Sequence, residues 1–245
     1  MSSVWHVAEV VGEAPENATA RTIRLRVDGL TGHLAGQHID IRLTADDGYS
    51  AIRSYSVASA STDGHLEITV DELPDGEVSS YLVRDLAVGD QLEIRGPVGG
   101  WFVWRPGKVN QVQLIGGGSG VVPLMSMIRA HQASSNESPF RLLYSLKSPE
   151  TSLYRDELRR LDQESAKLMV EYVYTRSTPE GWPAAPARLT SDTLLRRIFP
   201  PEENPDVFVC GQTVFVETVA DWLVMAGYPP QSIKTERFGG TGGIR

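Results

Sequence analysis

Residues 112–131 read Val-Gln-Leu-Ile-Gly-Gly-Gly-Ser-Gly-Val-Val-Pro-Leu-Met-Ser-Met-Ile-Arg-Ala-His, and no other stretch narrows the fold so far. The apolar residues 112–115 predict a buried strand. Val122, Met125, Ile128 and Arg129 recur at spacings of three and four, which predicts a helix over 121–132. Between them Gly116, Gly117, Gly118 and Gly120 leave out the Cβ, so backbone can approach a ligand closely. A helix N-terminus beyond such a turn offers free N–H groups and a partial positive charge to phosphate. The dinucleotide fingerprint G-x-G-x-x-G does not fit: its third glycine would fall on Val121 or Pro123. Taken alone, the run also reads as a flexible loop before a core helix.

The pattern differs on the two sides of this stretch. Upstream, residues 4–11, 22–27, 37–43, 66–70 and 91–95 alternate apolar with polar at period two. Turn pairs such as Asp28-Gly29, Asp63-Gly64 and Gly89-Asp90 separate them, so an antiparallel barrel or sandwich is expected. Residues 105–111 are polar and broken by Pro106 and Gly107, and the domain boundary is placed there, giving domains 1–105 and 106–245. Downstream, strands over 112–115, 140–145, 168–174 and 206–210 alternate with helices over 121–132, 152–162, 190–197 and 213–226. That is the rhythm of βαβ units on a parallel sheet. In the last helix Val214, Thr218, Trp222 and Met225 form a stripe expected to face the core. The tail from Gly239 is expected to be mobile.

Charge and cysteine usage exclude several functions. Residues 1–105 hold 8 Lys/Arg against 16 Asp/Glu, the whole of the net −8, and residues 106–245 hold 15 of each. Nucleic-acid binding usually needs a basic face. The single cysteine, Cys210, excludes an intrachain disulfide and a cluster held by four thiolates of this chain, and the five histidines show no ligand spacing, so no metal is expected. No apolar run approaches the ~20 residues of a membrane span. The first residues lack a basic region followed by an apolar core, so no signal peptide and a cytoplasmic location are expected.

A second stretch, Arg53-Ser54-Tyr55-Ser56, sits at the start of an apolar strand expected over 55–58. Arg carries a fixed fork of donors suited to phosphate, Tyr a flat face with a hydroxyl, and Ser a small donor. By itself the stretch reads equally well as an exposed strand. A third, Gly76-Glu77-Val78-Ser79, opens a short helix for which Ser79 is a reasonable N-cap.

In this order, across nearly the whole chain, these motifs resemble the ferredoxin–NADP reductase family of flavoproteins. The family's Arg-x-(Tyr/Phe)-(Ser/Thr) is matched by Arg53, Tyr55 and Ser56, and its Gly-x-x-Ser by Gly76 and Ser79. Its Gly-Gly/Thr-Gly-x-Gly-(Ile/Val)-x-Pro loop is similar to residues 116–123, with Ser119 where many members carry Thr. Cys210-Gly211 matches its Cys-Gly, and Tyr174-Thr175-Arg176 resembles its Ser-Arg pair.

The resemblance implies an N-terminal antiparallel Greek-key β-barrel holding FAD and a C-terminal, parallel, five-stranded α/β domain holding NADPH or NADH. It implies that Arg53 contacts the flavin pyrophosphate, Tyr55 stacks on the isoalloxazine, and Ser56 approaches N5. Ser54, Gly76, Val78 and Ser79 would complete the flavin site. Gly117, Gly118, Ser119, Gly120, Pro123, Cys210 and Gly211 would hold the nicotinamide coenzyme. Thr175 and Arg176 would read the 2′-phosphate, which favours NADPH. Cys210 would shape the pocket without acting as a nucleophile. Reductase components of bacterial oxygenases also carry Glu-x-Phe near their ends, as in Glu236-Arg237-Phe238; Phe238 would cover the flavin or close the core.

The activity implied is hydride uptake from NAD(P)H onto bound FAD. Electrons then pass to a separate acceptor, a ferredoxin or an oxygenase component, because the chain has no cysteines for an iron–sulfur domain of its own. Two alternatives stay open: a reductase that releases flavin as a product, and an electron-transfer subunit that holds FAD without catalysis.

Overall fold

A computed structural model describes residues 4–62 and 64–238; the tail from Gly239 lies outside them. The chain forms two compact units. One comprises residues up to Pro106 together with Met125–Ser135, and the other comprises Gly107–Leu124 and the rest of the chain from Asn136.

The first unit is built on β1 (His6–Asn17), β2 (Ala20–Val27), β3 (His38–Thr44), β4 (Ser50–Ser56), β5 (His65–Asp71) and β6 (Gln91–Val98). They form one antiparallel sheet in the order β4-β3-β6-β1-β2-β5. The end strands meet at an isolated bridge, Val57 to Ile68, which closes the Greek-key barrel. The period-two pattern decides which side chains fill it: Ile23 and Leu25, Ile39 and Ile41, Ile68 and Val70 are buried. Each such side chain contributes roughly 1.5–3 kcal/mol. Between β5 and β6 runs α1 (Glu77–Arg84), which buries Val78, Ser79 and Leu82.

The Arg53–Ser56 stretch closes β4 and does not open a strand over 55–58 as expected. Pairing with β3 begins at Thr44↔Ser50 and runs out at His38↔Ser56, and this long-range register sets the strand. Ser79 is not the N-cap of α1. Gly76 holds that place, and Ser79 lies inside the first turn, where its hydroxyl closes the preceding loop.

The second unit is a five-stranded parallel sheet in the order β11-β10-β7-β8-β9. Its strands are β7 (Val112–Gly117), β8 (Phe140–Leu146), β9 (Leu168–Tyr174), β10 (Asp206–Gln212) and β11 (Ile233–Phe238). The helices that follow them are α2 (Val121–Gln132), α3 (Arg155–Glu164), α4 (Ser191–Leu195) and α5 (Thr213–Met225). Central β7 and β10 are buried almost throughout, as strands covered on both faces must be. The fifth strand, β11, reads Ile-Lys-Thr-Glu-Arg-Phe and is half-polar because it is an edge, which is why no apolar run marks it.

The stripe expected on α5 holds only at Trp222, which packs partly buried against the core. Val214 and Met225 are 77% and 85% exposed, and the buried face is Val216, Val219 and Leu223. The charged pair Glu217 and Asp221, exposed at a spacing of four, marks the solvent face, and Val214 and Met225 lie on either side of it along the helix.

Candidate functional site

The first candidate site lies at the end of β4. Register sets Arg53 beside Ile41 and Tyr55 beside Ile39, so the two side chains share one face, and Ser54 shares the other with Asp40. Ser54 is thereby separated from its neighbours: its Oγ donates to Asp40 Oδ1 at 2.6 Å, while Arg95 donates to Oδ2 at 2.7 Å. Burial pulls the Asp40 pKa upward, but these two bonds and the Arg95 charge outweigh it and leave the carboxyl below its ordinary value. Tyr55 packs against the barrel core, and burial, opposed by the charge of Arg53, pushes its phenol up to about 12.

Arg53 differs from most arginines around it. Arg21, Arg24, Arg26, Arg42, Arg84 and Arg95 each hold a carboxylate. Among the described residues Arg53 forms no ion pair, and its Nη1 donates to the carbonyl of Ile52 at 2.8 Å. Ser56 is 4% exposed, and its Oγ is buried without a hydrogen-bond partner. A cation without a carboxylate and, three residues on and on the strand's other face, a buried unsatisfied hydroxyl both leave capacity for a bound polar, anionic group.

At the start of α1, Ser79 Oγ accepts from Leu73 N–H at 3.1 Å and donates to the Gly76 carbonyl at 3.1 Å. A Cβ on Gly76 would lie 2.4 Å from that hydroxyl. The Gly-x-x-Ser spacing therefore has a local cause: the glycine makes room for the serine that folds the loop. Val78 is buried under the same turn.

The second candidate site is the glycine loop. β7 ends at Gly117, a 3-10 turn covers Gly118–Gly120, and α2 begins at once. Gly118 has φ +56°, a value other residues adopt at a cost. A Cβ on Gly120 would lie 2.2 Å from the Cys210 carbonyl oxygen, and one on Gly117 would lie 2.8 Å from the Phe215 ring. The loop is thus packed against the turn Cys210–Gly211, which β10 brings alongside through the register Cys210↔Gly116. Ser119 is half-buried in the turn. Pro123 sits in the first turn of α2, where its missing N–H costs no bond.

Cys210 is fully buried, and burial, then the nearby Glu236, raise its thiol well above the ordinary value. A thiol held neutral is a poor nucleophile. Glu236 faces Cys210 across the β10–β11 register. Burial pushes its carboxyl up to about 7, and its Oε2 has no hydrogen-bond partner. In the sequence Glu236 is only part of a Glu-x-Phe motif; its place beside Cys210 depends on a strand that no apolar pattern marks. Phe238 ends β11 half-buried, in register with Gln212.

At the carboxyl end of β9 the pairing with β8 continues into the loop. Thr175 N–H donates to the Leu146 carbonyl and Arg176 N–H to that of Lys147, both at 2.9 Å. The Arg176 side chain is exposed and forms no ion pair among the described residues. Tyr172 and Tyr174 stack nearby at 5.8 Å with planes 6° apart, and Trp182 meets Tyr174 edge-on at 5.0 Å. This aromatic group was missed from the sequence, although alternate tyrosines on one strand are a usable signal. Among the described residues no group of His, Cys, Asp and Glu is arranged to hold a metal ion. No described helix is long and apolar enough to cross a membrane.

Two family models match in tandem: an oxidoreductase FAD-binding domain over residues 10–103 and an oxidoreductase NAD-binding domain over residues 114–221. The chain belongs to the ferredoxin–NADP reductase-like family. The chain is 27% identical to NADH-cytochrome b5 reductase 1 of Aspergillus oryzae over 211 residues, covering 83% of the chain and 71% of the relative. It is 30% identical to the glycine betaine monooxygenase reductase subunit of Chromohalobacter salexigens over 208 residues, 84% of the chain but 56% of that protein. The fold of the chain is similar to that of the FAD/NAD-binding domain of nitric oxide dioxygenase from Vibrio cholerae, with TM-score 0.83, 24% identity, and coverage of 96% and 99% of the two chains.

Proposed function

We propose that the protein is an NAD(P)H reductase with resident FAD that delivers electrons to a separate protein, an oxygenase component or a ferredoxin-like carrier, and that it prefers NADPH. The observation that carries the flavin reading is Arg53, a barrel arginine without a carboxylate, on the strand that ends at Ser56, whose buried hydroxyl has no partner. In this reading residues 1–105 hold FAD and residues 106–245 hold the coenzyme.

FAD, when bound, supplies the conversion between two-electron and one-electron chemistry. The chain's residues do the rest. Arg53 neutralises the pyrophosphate, Tyr55 offers a flat face, and Ser56 donates its hydroxyl to the ring system. Gly76, Val78 and Ser79 shape the loop that receives the pyrophosphate. Gly118, open where a Cβ would stand, lets backbone reach the coenzyme phosphates; Gly117 and Gly120 let the loop pack against Phe215 and Cys210, and Ser119 and Pro123 set the turn into α2. The neutral Cys210 thiol and Gly211 give the nicotinamide pocket its shape. Glu236 keeps a proton there below about pH 7. Thr175 and Arg176 read the 2′-phosphate.

NADH is the second reading. Relatives of this chain are named NADH-cytochrome b5 reductases, and a cytochrome is then a candidate acceptor. The test is the visible spectrum of the purified protein before and after anaerobic addition of each coenzyme. A yellow protein bleached faster by NADPH is expected. A colourless protein that reduces added flavin points instead to a released flavin, and a yellow protein bleached by neither coenzyme sinks the enzymatic reading.

A further inference from the structure

The barrel is closed by little. Its end strands share one bridge, Val57 to Ile68, continued by Ala58 N–H to the Glu67 carbonyl at 2.7 Å and by Glu67 N–H to Ser59 Oγ at 3.0 Å. This seam begins one residue after Ser56. Two side chains of α2, from the part of the helix that belongs to the barrel unit, bear on the seam. Ser126 Oγ donates to the Ser59 carbonyl at 2.7 Å. Arg129 Nη1 donates to the Ala58 carbonyl at 3.0 Å and reaches Glu67 Oε2 at 3.3 Å.

These contacts are specific. A mid-helix serine ordinarily returns its hydroxyl to its own i−4 carbonyl. Ser126, fully buried, spends its one proton on Ser59 instead. Arg129 ties both sides of the seam through one nitrogen, bonding the chain that continues β4 and the carboxylate of a β5 residue. Glu67 is held from its other side by Arg24 at 2.6 Å.

We infer that Ser126 and Arg129 are positioning residues of the flavin site: they clasp the carbonyls of Ser59 and Ala58 and so fix the chain that carries Tyr55 and Ser56. Neither touches the candidate cofactor residues; they act through the segment 57–59. The inference rests on the proposal that the barrel holds FAD.

The test uses the full chain, stripped of flavin and titrated with FAD. Arg129→Ala should raise the FAD Kd on the order of tenfold, the scale of a lost charged hydrogen bond. It should also shift the absorption spectrum and midpoint potential of the bound flavin. Arg129→Lys should restore part of each, and Ser126→Ala should move all three in the same direction by less. Arg24→Ala, which strips Glu67 of its other arginine, should lower thermal stability and leave Kd, spectrum and potential at wild-type values. The inference is overturned if Arg129→Ala loses thermal stability yet binds FAD with wild-type Kd, spectrum and potential. If Arg129→Ala does not fold, Arg129→Lys and Ser126→Ala carry the comparison, and wild-type values in both overturn it equally. If the wild-type chain takes up no FAD, the flavin reading itself falls and this inference with it.

Discussion

The two candidate cradles both contain glycines, but the tightest contact each one relieves differs. At Gly76 the missing Cβ makes room first for a side chain, the Ser79 hydroxyl 2.4 Å away, and then for the Leu73 carbonyl oxygen at 2.9 Å. At Gly120 it makes room for backbone, the Cys210 carbonyl 2.2 Å away. A side chain can be shortened by a second substitution, whereas a carbonyl in the middle of a parallel sheet cannot move without disturbing its strand. The barrel cradle is therefore built from side chains whose loss weakens a ligand. The sheet cradle is built from close backbone approach, and its loss threatens the fold as well.

The largest effect should come from Gly120→Ala. Overpacking against backbone typically costs about 1–3 kcal/mol and sometimes more, and this contact belongs at the upper end. Urea denaturation should show the loss together with failed coenzyme binding; wild-type stability would break the contrast.

Arg53→Ala should do the reverse. Retention of FAD should weaken by about 1.5–3 kcal/mol, the worth of a charge-assisted contact, while the melting temperature of the flavin-free protein stays near wild type because no carboxylate is orphaned. A variant that purifies with full flavin content removes Arg53 from the site.

Gly76→Ala should cost about 1–2 kcal/mol by crowding Ser79. Combined with Ser79→Ala it should cost less than the two single losses together, since the hydroxyl in conflict is gone. Strict additivity in a double-mutant cycle would show that Leu73, also close to the new Cβ, decides the matter.

A pH experiment sharpens the sheet side. Glu236 has a folded-state value of about 7, raised from 4.5 by burial. Between those values the folded protein binds more protons than the unfolded one, so stability falls as pH rises from about 4.5 through about 7. One site gives a slope of at most about 1.4 kcal/mol per pH unit. Glu236→Gln should flatten that part of the profile in denaturant titrations of the flavin-free protein. An unchanged slope assigns it to other groups.

The smallest effect is expected at the exposed Arg176. Arg176→Ala should raise the KM for NADPH roughly tenfold, leave NADH nearly unchanged, and do both less at high salt, since the contact is partly screened. Equal losses with both coenzymes would mean that Arg176 serves a part they share.

Much of this protein is local and was legible in its residues. Period-two alternation predicted five of the six barrel strands but not β4, the βαβ rhythm predicted four of the five strands of the sheet layer, and the glycine run lies between strand and helix as expected. Such features depend on neighbours within a few positions. Other features depend on pairing across long stretches of chain. Register alone set Glu236 beside Cys210 and turned Ser54 toward Asp40, away from Arg53 and Tyr55. Only the ion pairs of the folded barrel distinguish Arg53 from the arginines they engage. Composition states how many charges a chain carries; which of them remain unneutralised is decided when distant strands meet.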